Sequence, residues 1–198
     1  SYMHSNNITH GNIITRNIKL DDYLYPKITD FGFSRPFKHY INQITEHDSI
    51  VYGTAPYISP EIWREFDHSC ASDVYAFAFI VYEIMTLERP LRCFPDFYII
   101  MQQVAINHYR PPMDKIQIPE CYRNLIESCW SEDKFNRPSF EQIVNKLKTN
   151  SDFITENVDL DEFVSYTELI GEDYPIDDSK QKTKSQKAKP TKNKISVP

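Results

Sequence analysis

Glycine is scarce in this sequence. Four stand among 198 residues, at Gly11, Gly32, Gly53 and Gly171, and no pair has the G-x-G-x-x-G spacing with which a backbone covers phosphates. Long hydrophobic runs are missing as well. The longest, Val74 to Tyr82, stops at Glu83, about half the length needed to cross roughly 30 Å of hydrocarbon. It reads as a buried helix, and no transmembrane segment is expected. Cys70, Cys93, Cys121 and Cys129 show neither Cys-x-x-Cys spacing nor a nearby His pair, which argues against a zinc cluster and for reduced, buried thiols. The first residues lack a basic region followed by an apolar stretch, so nothing points to export. A cytoplasmic chain is the expectation. It opens at Ser1 without an initiating Met, as a fragment would.

What is present is the composition of a packed globular protein: 40% hydrophobic, 14% aromatic and 25% charged residues. A chain of this length supports one well-buried domain rather than two. The net charge of -6 hides a strong split. Residues 1–150 carry 15 basic and 18 acidic groups, residues 151–178 carry 10 acidic groups and no basic one, and residues 179–198 carry seven lysines and no acid. Blocks of one sign mark solvated segments rather than core. The expected organisation is a folded body over residues 1–149, an acidic segment over 150–178 and a disordered lysine-rich tail over 179–198. The acidic segment interleaves Phe153, Val158, Leu160, Phe163, Val164 and Leu169 with carboxylates, which suits a short helix that docks on a protein partner or on the body itself. The tail admits a nuclear address or a contact with nucleic acid or anionic lipid. No nucleic-acid site is expected beyond it.

Two short apolar runs, at 18–20 and 26–29, flank Asp21 to Tyr25 and predict one small β-hairpin. No other strand pair is evident. Residues 33–60 lack periodicity and carry Pro36, Gly53, Pro56 and Pro60, which predicts a long irregular loop. Helices are expected over 61–66, 71–85, 96–107, 120–130 and 139–147. Their starts carry physical signals: Ser69 and Ser72 as caps, Asp96 after Pro95, and Ser139 with Gln142 three residues on as a capping box. The fold class is mainly α, a helical bundle with one small hairpin.

Four motifs then stand in order: His10-Gly11-Asn12-Ile13-Ile14-Thr15-Arg16-Asn17, Asp30-Phe31-Gly32, Gly53-Thr54-Ala55-Pro56-Tyr57-Ile58-Ser59-Pro60-Glu61, and Ser72-Asp73-Val74-Tyr75-Ala76-Phe77. Tyr109-Arg110-Pro111, Cys129-Trp130 and Arg137-Pro138-Ser139-Phe140 follow. Together they resemble the carboxyl-terminal lobe of a protein kinase, and the later ones the tyrosine-kinase-like group. The resemblance covers residues 1 to about 149, and it implies Mg-ATP as cofactor. On that resemblance Asp30 and Asn17 are the Mg²⁺ ligands, and Lys19 holds the adenine platform, where a leucine is usual. His10, Phe31, Gly32, Asp73 and the buried pair of Glu61 with Arg137 are structural positions.

The departures concern chemistry. The family's catalytic loop reads H-R-D-L-K-x-x-N, and here Gly11, Asn12 and Ile14 replace its Arg, Asp and Lys. An amide has no useful basicity near neutral pH, so Asn12 can orient a hydroxyl without taking its proton. Gly11 removes the guanidinium that grips a phosphorylated loop, and Ile14 removes a cation beside the phosphoryl group; Arg16 replaces part of that charge at most. Accordingly Thr45, Ser49, Tyr52 and Thr54 read as solvent-facing hydroxyls. The glycine-rich loop, strand Lys and helix Glu of an amino-terminal lobe are absent from the sequence as given. With so little of the preceding helix, the apolar helix is expected to expose Val74, Phe77 and Val81. The expectation is a pseudokinase lobe acting as an interaction module; the alternative is the end of a longer, weakly active Ser/Thr or Tyr kinase.

Overall fold

The computed structural model describes residues 1–22, 24–36, 54–114, 117–155 and 158–169. Thr45, Ser49, Tyr52 and the lysine-rich tail lie outside them. Two compact units are present, Ser1–Phe153 and Ile154–Pro198.

In the first unit a short helix α1 (Tyr2–Ser5) and strand β1 (Ile8–Thr9) lead into the loop that begins at His10, which closes with a 3-10 turn at Thr15–Asn17. Strands β2 (Ile18–Leu20) and β3 (Pro26–Ile28) form the expected hairpin in the register Ile18 to Ile28, Lys19 to Lys27 and Leu20 to Pro26. Its turn is tied by Asp21, whose carboxylate accepts from the Tyr25 N–H at 2.9 Å while Leu24 takes the left-handed φ of 65°. A second antiparallel pair corrects the expectation of a single hairpin. Strand β4 (Arg35–Pro36) pairs with β1, Thr9 opposite Arg35. Two-residue strands 26 positions apart leave no alternation to read.

The helical body follows, with α2 (Pro60–Glu65), α3 (Cys70–Thr86), α4 (Phe97–Ala105), α5 (Glu120–Cys129) and α6 (Phe140–Thr149). The starts lie where the capping chemistry placed them. Ser72 Oγ accepts from the Ser69 N–H at 3.1 Å, Asp96 Oδ1 from the Ile99 N–H at 2.9 Å, and Ser139 with Gln142 closes the reciprocal box at 3.2 and 2.8 Å. Helix α3 is the axis of the core. Its Val74, Tyr75, Ala78, Phe79, Val81 and Tyr82 are buried against Leu125, Ile126 and Cys129 of α5, Ile100 and Val104 of α4, and Ile143 of α6. Each such large side chain contributes about 1.5–3 kcal/mol of transfer free energy. Phe79 also sits 5.2 Å from the Tyr75 ring and 5.5 Å from Trp130.

Three expectations need correction. Val74 and Val81 are buried rather than exposed, and Phe77, half-buried, stacks edge-on against Phe140 at 5.3 Å. The cover comes from within the unit: both valines belong to the main cluster with Val104, Leu125 and Ile126, and in a second cluster Ile13 packs on Ala76 and Ile80, with Ile18 and Phe140 beside them. Only Cys129 among the four free thiols is buried, and that burial pushes its pKa up to about 12; Cys93 is exposed and the other two are half-buried. Thr54 is buried and does not face solvent. At the end of the unit Phe153 enters the core and packs edge-on against Tyr122 at 5.0 Å.

The second unit contains helix α7 (Leu160–Leu169). Asp159 starts it, accepting from the N–H groups of Asp161 and Glu162 at 2.9 and 3.0 Å. Among the described residues no helix is long and apolar enough to cross a membrane.

Candidate active site

The loop from His10 to Asn17 is held from below by one carboxylate. Asp73, in the first turn of α3, is buried and accepts from the backbone N–H of His10 at 2.7 Å and of Gly11 at 2.9 Å, and its Oδ2 meets His4 Nε2 at 2.9 Å. Two backbone donors that no strand or helix could satisfy are thereby paired. His10 is buried above it. Its Nδ1 accepts from the Asn12 N–H at 3.2 Å, and its ring lies 5.2 Å from that of Phe31. Burial lowers the His10 pKa, outweighing the opposing pull of the Asp73 carboxylate. Gly11 has φ +75°, and a Cβ there would stand 2.9 Å from the Phe33 carbonyl oxygen. The turn therefore needs a residue without a side chain for two reasons, its backbone angle and its closeness to the 31–33 turn.

Asn12, Asn17 and Asp30 converge above this support. Asn12 Nδ2 donates to Asp30 Oδ2 at 2.8 Å. Asn17 Nδ2 donates to the Asn12 carbonyl at 3.0 Å and approaches Asp30 Oδ2 at 3.4 Å. Both amides are buried, while Asp30 is exposed and left-handed at φ 66°, ψ 66°. The amide orientations follow from chemistry, since carboxylate and carbonyl oxygens offer only acceptors and an amide must present its nitrogen to them. The Asn17 carbonyl is itself held by the Thr29 N–H and hydroxyl at 2.8 and 3.0 Å, which joins the loop to the strand that delivers Asp30.

Asp30 and Asn17 fit a Mg²⁺ ion. A carboxylate and an amide oxygen are hard donors, and an ion held mainly by water and phosphate oxygens needs few protein ligands. With the Asn17 nitrogen committed to two acceptors, its oxygen is the atom left for a cation. Among the described residues no group of three or more His, Cys, Asp or Glu converges to hold a metal. Ile14 is buried, so its position delivers nothing to the site, and Arg16 is exposed. Lys19 is exposed on β2 directly opposite Lys27. Phe31 and Gly32 are exposed beside Asp30.

Glu61 and Arg137 form a buried two-pronged pair at 2.7 and 2.8 Å. Burial raises the Glu61 pKa, but the Arg137 hydrogen bonds and charge outweigh it and hold the carboxyl below its ordinary value. Two contacts escaped sequence reasoning. His4 joins Asp73 and lies tilted against the Phe140 ring at 5.0 Å. Glu83 of α3 accepts from the Tyr57 hydroxyl at 2.6 Å and from the Thr15 hydroxyl, tying the site loop to the segment before α2. The available signal was Glu83 itself, a carboxylate ending an apolar run on a buried helix and hence in need of donors.

The family described as protein tyrosine and serine/threonine kinase matches residues 1–147. The probable serine/threonine-protein kinase drkC of Dictyostelium discoideum is 33% identical over 141 residues, covering 71% of this chain and 18% of the relative. Two dual specificity protein kinases of the same organism are similar: shkD, 33% identical over 160 residues (80% of this chain, 20% of the relative), and shkC, 32% over 152 (74% and 29%). The chain spans less than a third of the length of these relatives.

Proposed function

The chain belongs to the protein kinase family, and from that premise we propose that it is a pseudokinase lobe of the tyrosine-kinase-like group, serving as an interaction module after loss of phosphotransfer. The observation that carries this reading is the hydrogen bond from Asn12 to Asp30. Where a base is needed to take the hydroxyl proton, the side chain is an amide with none to offer, and one of its N–H groups is donated to the neighbouring carboxylate. Loss of a general base costs roughly 10²–10⁴ in rate. Buried Ile14 supplies no charge toward a phosphoryl group. The group assignment rests on Tyr109-Arg110-Pro111, Cys129-Trp130 and Arg137-Pro138-Ser139-Phe140.

Mg²⁺, when bound, supplies charge neutralisation to nucleotide phosphates, and Asp30 and Asn17 are the residues that would hold it. Lys19, in place of an apolar platform, opposes purine stacking. We assign the interaction role to the helical body together with the acidic segment 150–178. There α7 presents Leu160 and Val164 beside Asp161, Glu162 and Glu168, all exposed, as a helix that docks on a partner does. Protein partners rather than nucleic acid fit this surface.

A second reading has one observation in its favour: Asp30 and Asn17 are both present and close together. In that case the chain is part of a longer kinase with weak activity. A thermal-shift titration with Mg²⁺-ATP separates the two. No shift of the midpoint is expected at millimolar nucleotide; a saturable rise that requires Asp30 would favour the second reading.

A further inference from the structure

An exposed carboxylate that receives two amide N–H groups needs no cation to be satisfied. Asp30 Oδ2 is in that position, with Asn12 Nδ2 at 2.8 Å and Asn17 Nδ2 at 3.4 Å. Asn12 is itself immobilised. It is buried, its backbone N–H donates to His10 Nδ1 at 3.2 Å, and its carbonyl accepts from Asn17 at 3.0 Å. Its side chain is thus held by a backbone fixed at both ends. The receiving residue holds a left-handed backbone, φ 66°, ψ 66°, a conformation uncommon for a residue with a side chain.

From this juxtaposition we propose that Asn12 is a positioning residue which replaces a cation: its amide latches Asp30 and keeps the Asp30-Phe31-Gly32 turn in place when no metal is bound. The inference rests on the reading of lost phosphotransfer and deepens it, since it gives the substituted residue a use. Further ties run the same way. The Ser34 hydroxyl donates to the His10 carbonyl at 3.3 Å, and the His10 and Phe31 rings are in contact. An aspartate at position 12 would bring a carboxylate oxygen within hydrogen-bond distance of Asp30 Oδ2, an arrangement that needs a proton or a cation between them. Position 12 therefore sets whether this turn depends on metal.

The test is amide hydrogen exchange over residues 29–34 of the full 198-residue chain, without nucleotide, in EDTA and in millimolar MgCl₂. The thermal midpoint of each variant verifies that it is folded. In the wild-type chain exchange is expected to be the same in both buffers. Asn12→Ala should speed it by about threefold to tenfold in both, the range for loss of one hydrogen bond. Asn12→Asp should be fast in EDTA and return toward the wild-type rate in MgCl₂, a rescue that a merely structural side chain would not give. If Asn12→Ala does not fold, the metal dependence of Asn12→Asp decides alone. Slowing of wild-type exchange by MgCl₂ would overturn the latch, as would an Asn12→Asp chain indifferent to it. These outcomes decide the latch whether or not the chain transfers phosphate.

Discussion

Arg137 reaches across 76 residues of sequence to Glu61, its Nη1 and Nη2 donating in parallel to Oε1 and Oε2 at 2.7 and 2.8 Å. Both are buried, at 7% and 8% exposure, which separates this pair from the surface ion pairs that contribute little. Arg137→Ala leaves Glu61 as an unpaired buried carboxylate and is expected to cost about 3–5 kcal/mol. A denaturation midpoint within error of the wild type would contradict this. The double change Glu61→Gln with Arg137→Leu should recover part of the loss. Recovery stays partial because Arg137 also donates to the carbonyls of Ala71 and Ser131.

Asp73 is the second keystone. Asp73→Ala strands the N–H groups of His10 and Gly11, each unsatisfied donor costing about 1–3 kcal/mol, and releases His4 as well. A loss of about 2–6 kcal/mol is expected by urea denaturation. Faster amide exchange at residues 10–12 should accompany it; unchanged exchange there would show that the loop stands without α3.

Gly11→Ala tests the backbone. A Cβ at φ +75° would stand 2.9 Å from the Phe33 carbonyl oxygen, so strain and displacement add. Expected destabilisation is above about 1 kcal/mol, the left-handed cost alone. A neutral or stabilising effect would mean that the 31–33 turn yields freely.

Acid should destabilise the fold in two limbs. His10 has a pKa lowered below its ordinary 6.5, so the unfolded chain binds its proton first and stability falls as pH drops below that value. The Asp73 and Asp30 carboxylates facing it reduce the effect without reversing it. Glu61, held below its ordinary 4.5, contributes stability that is present above that value and lost as pH falls through the lower folded one. Thermal midpoints measured from neutral pH downward should show both limbs, the first absent in His10→Phe and the second in the Glu61→Gln, Arg137→Leu double variant. A flat profile between neutrality and pH 4.5 would refute the His10 assignment.

Local chemistry made much of this fold legible. Ser139 with Gln142 and Asp96 after Pro95 announce α6 and α4, because a cap is satisfied within a few residues of sequence. The 18–29 hairpin is equally local. Long-range closure was not legible. The β1 and β4 pair is too short to alternate, and the cover of α3 by Ile13, Ile18 and Phe140 depends on three separate segments meeting. The candidate site divides in the same way. Asn12, Asn17 and Asp30 stand out by residue type, whereas the direction of the Asn12 amide and the joining of His4 to Asp73 exist only in three dimensions.

Transfer of radiolabelled phosphate from Mg²⁺-ATP by the full chain is the direct test of the proposed loss of phosphotransfer. No transfer is expected, to the chain itself or to added protein. Asn12→Asp alone should not restore it, because the Arg and Lys that Gly11 and Ile14 replace stay missing. Transfer by the wild-type chain that disappears in Asp30→Ala would show that Asn12 does not abolish phosphotransfer.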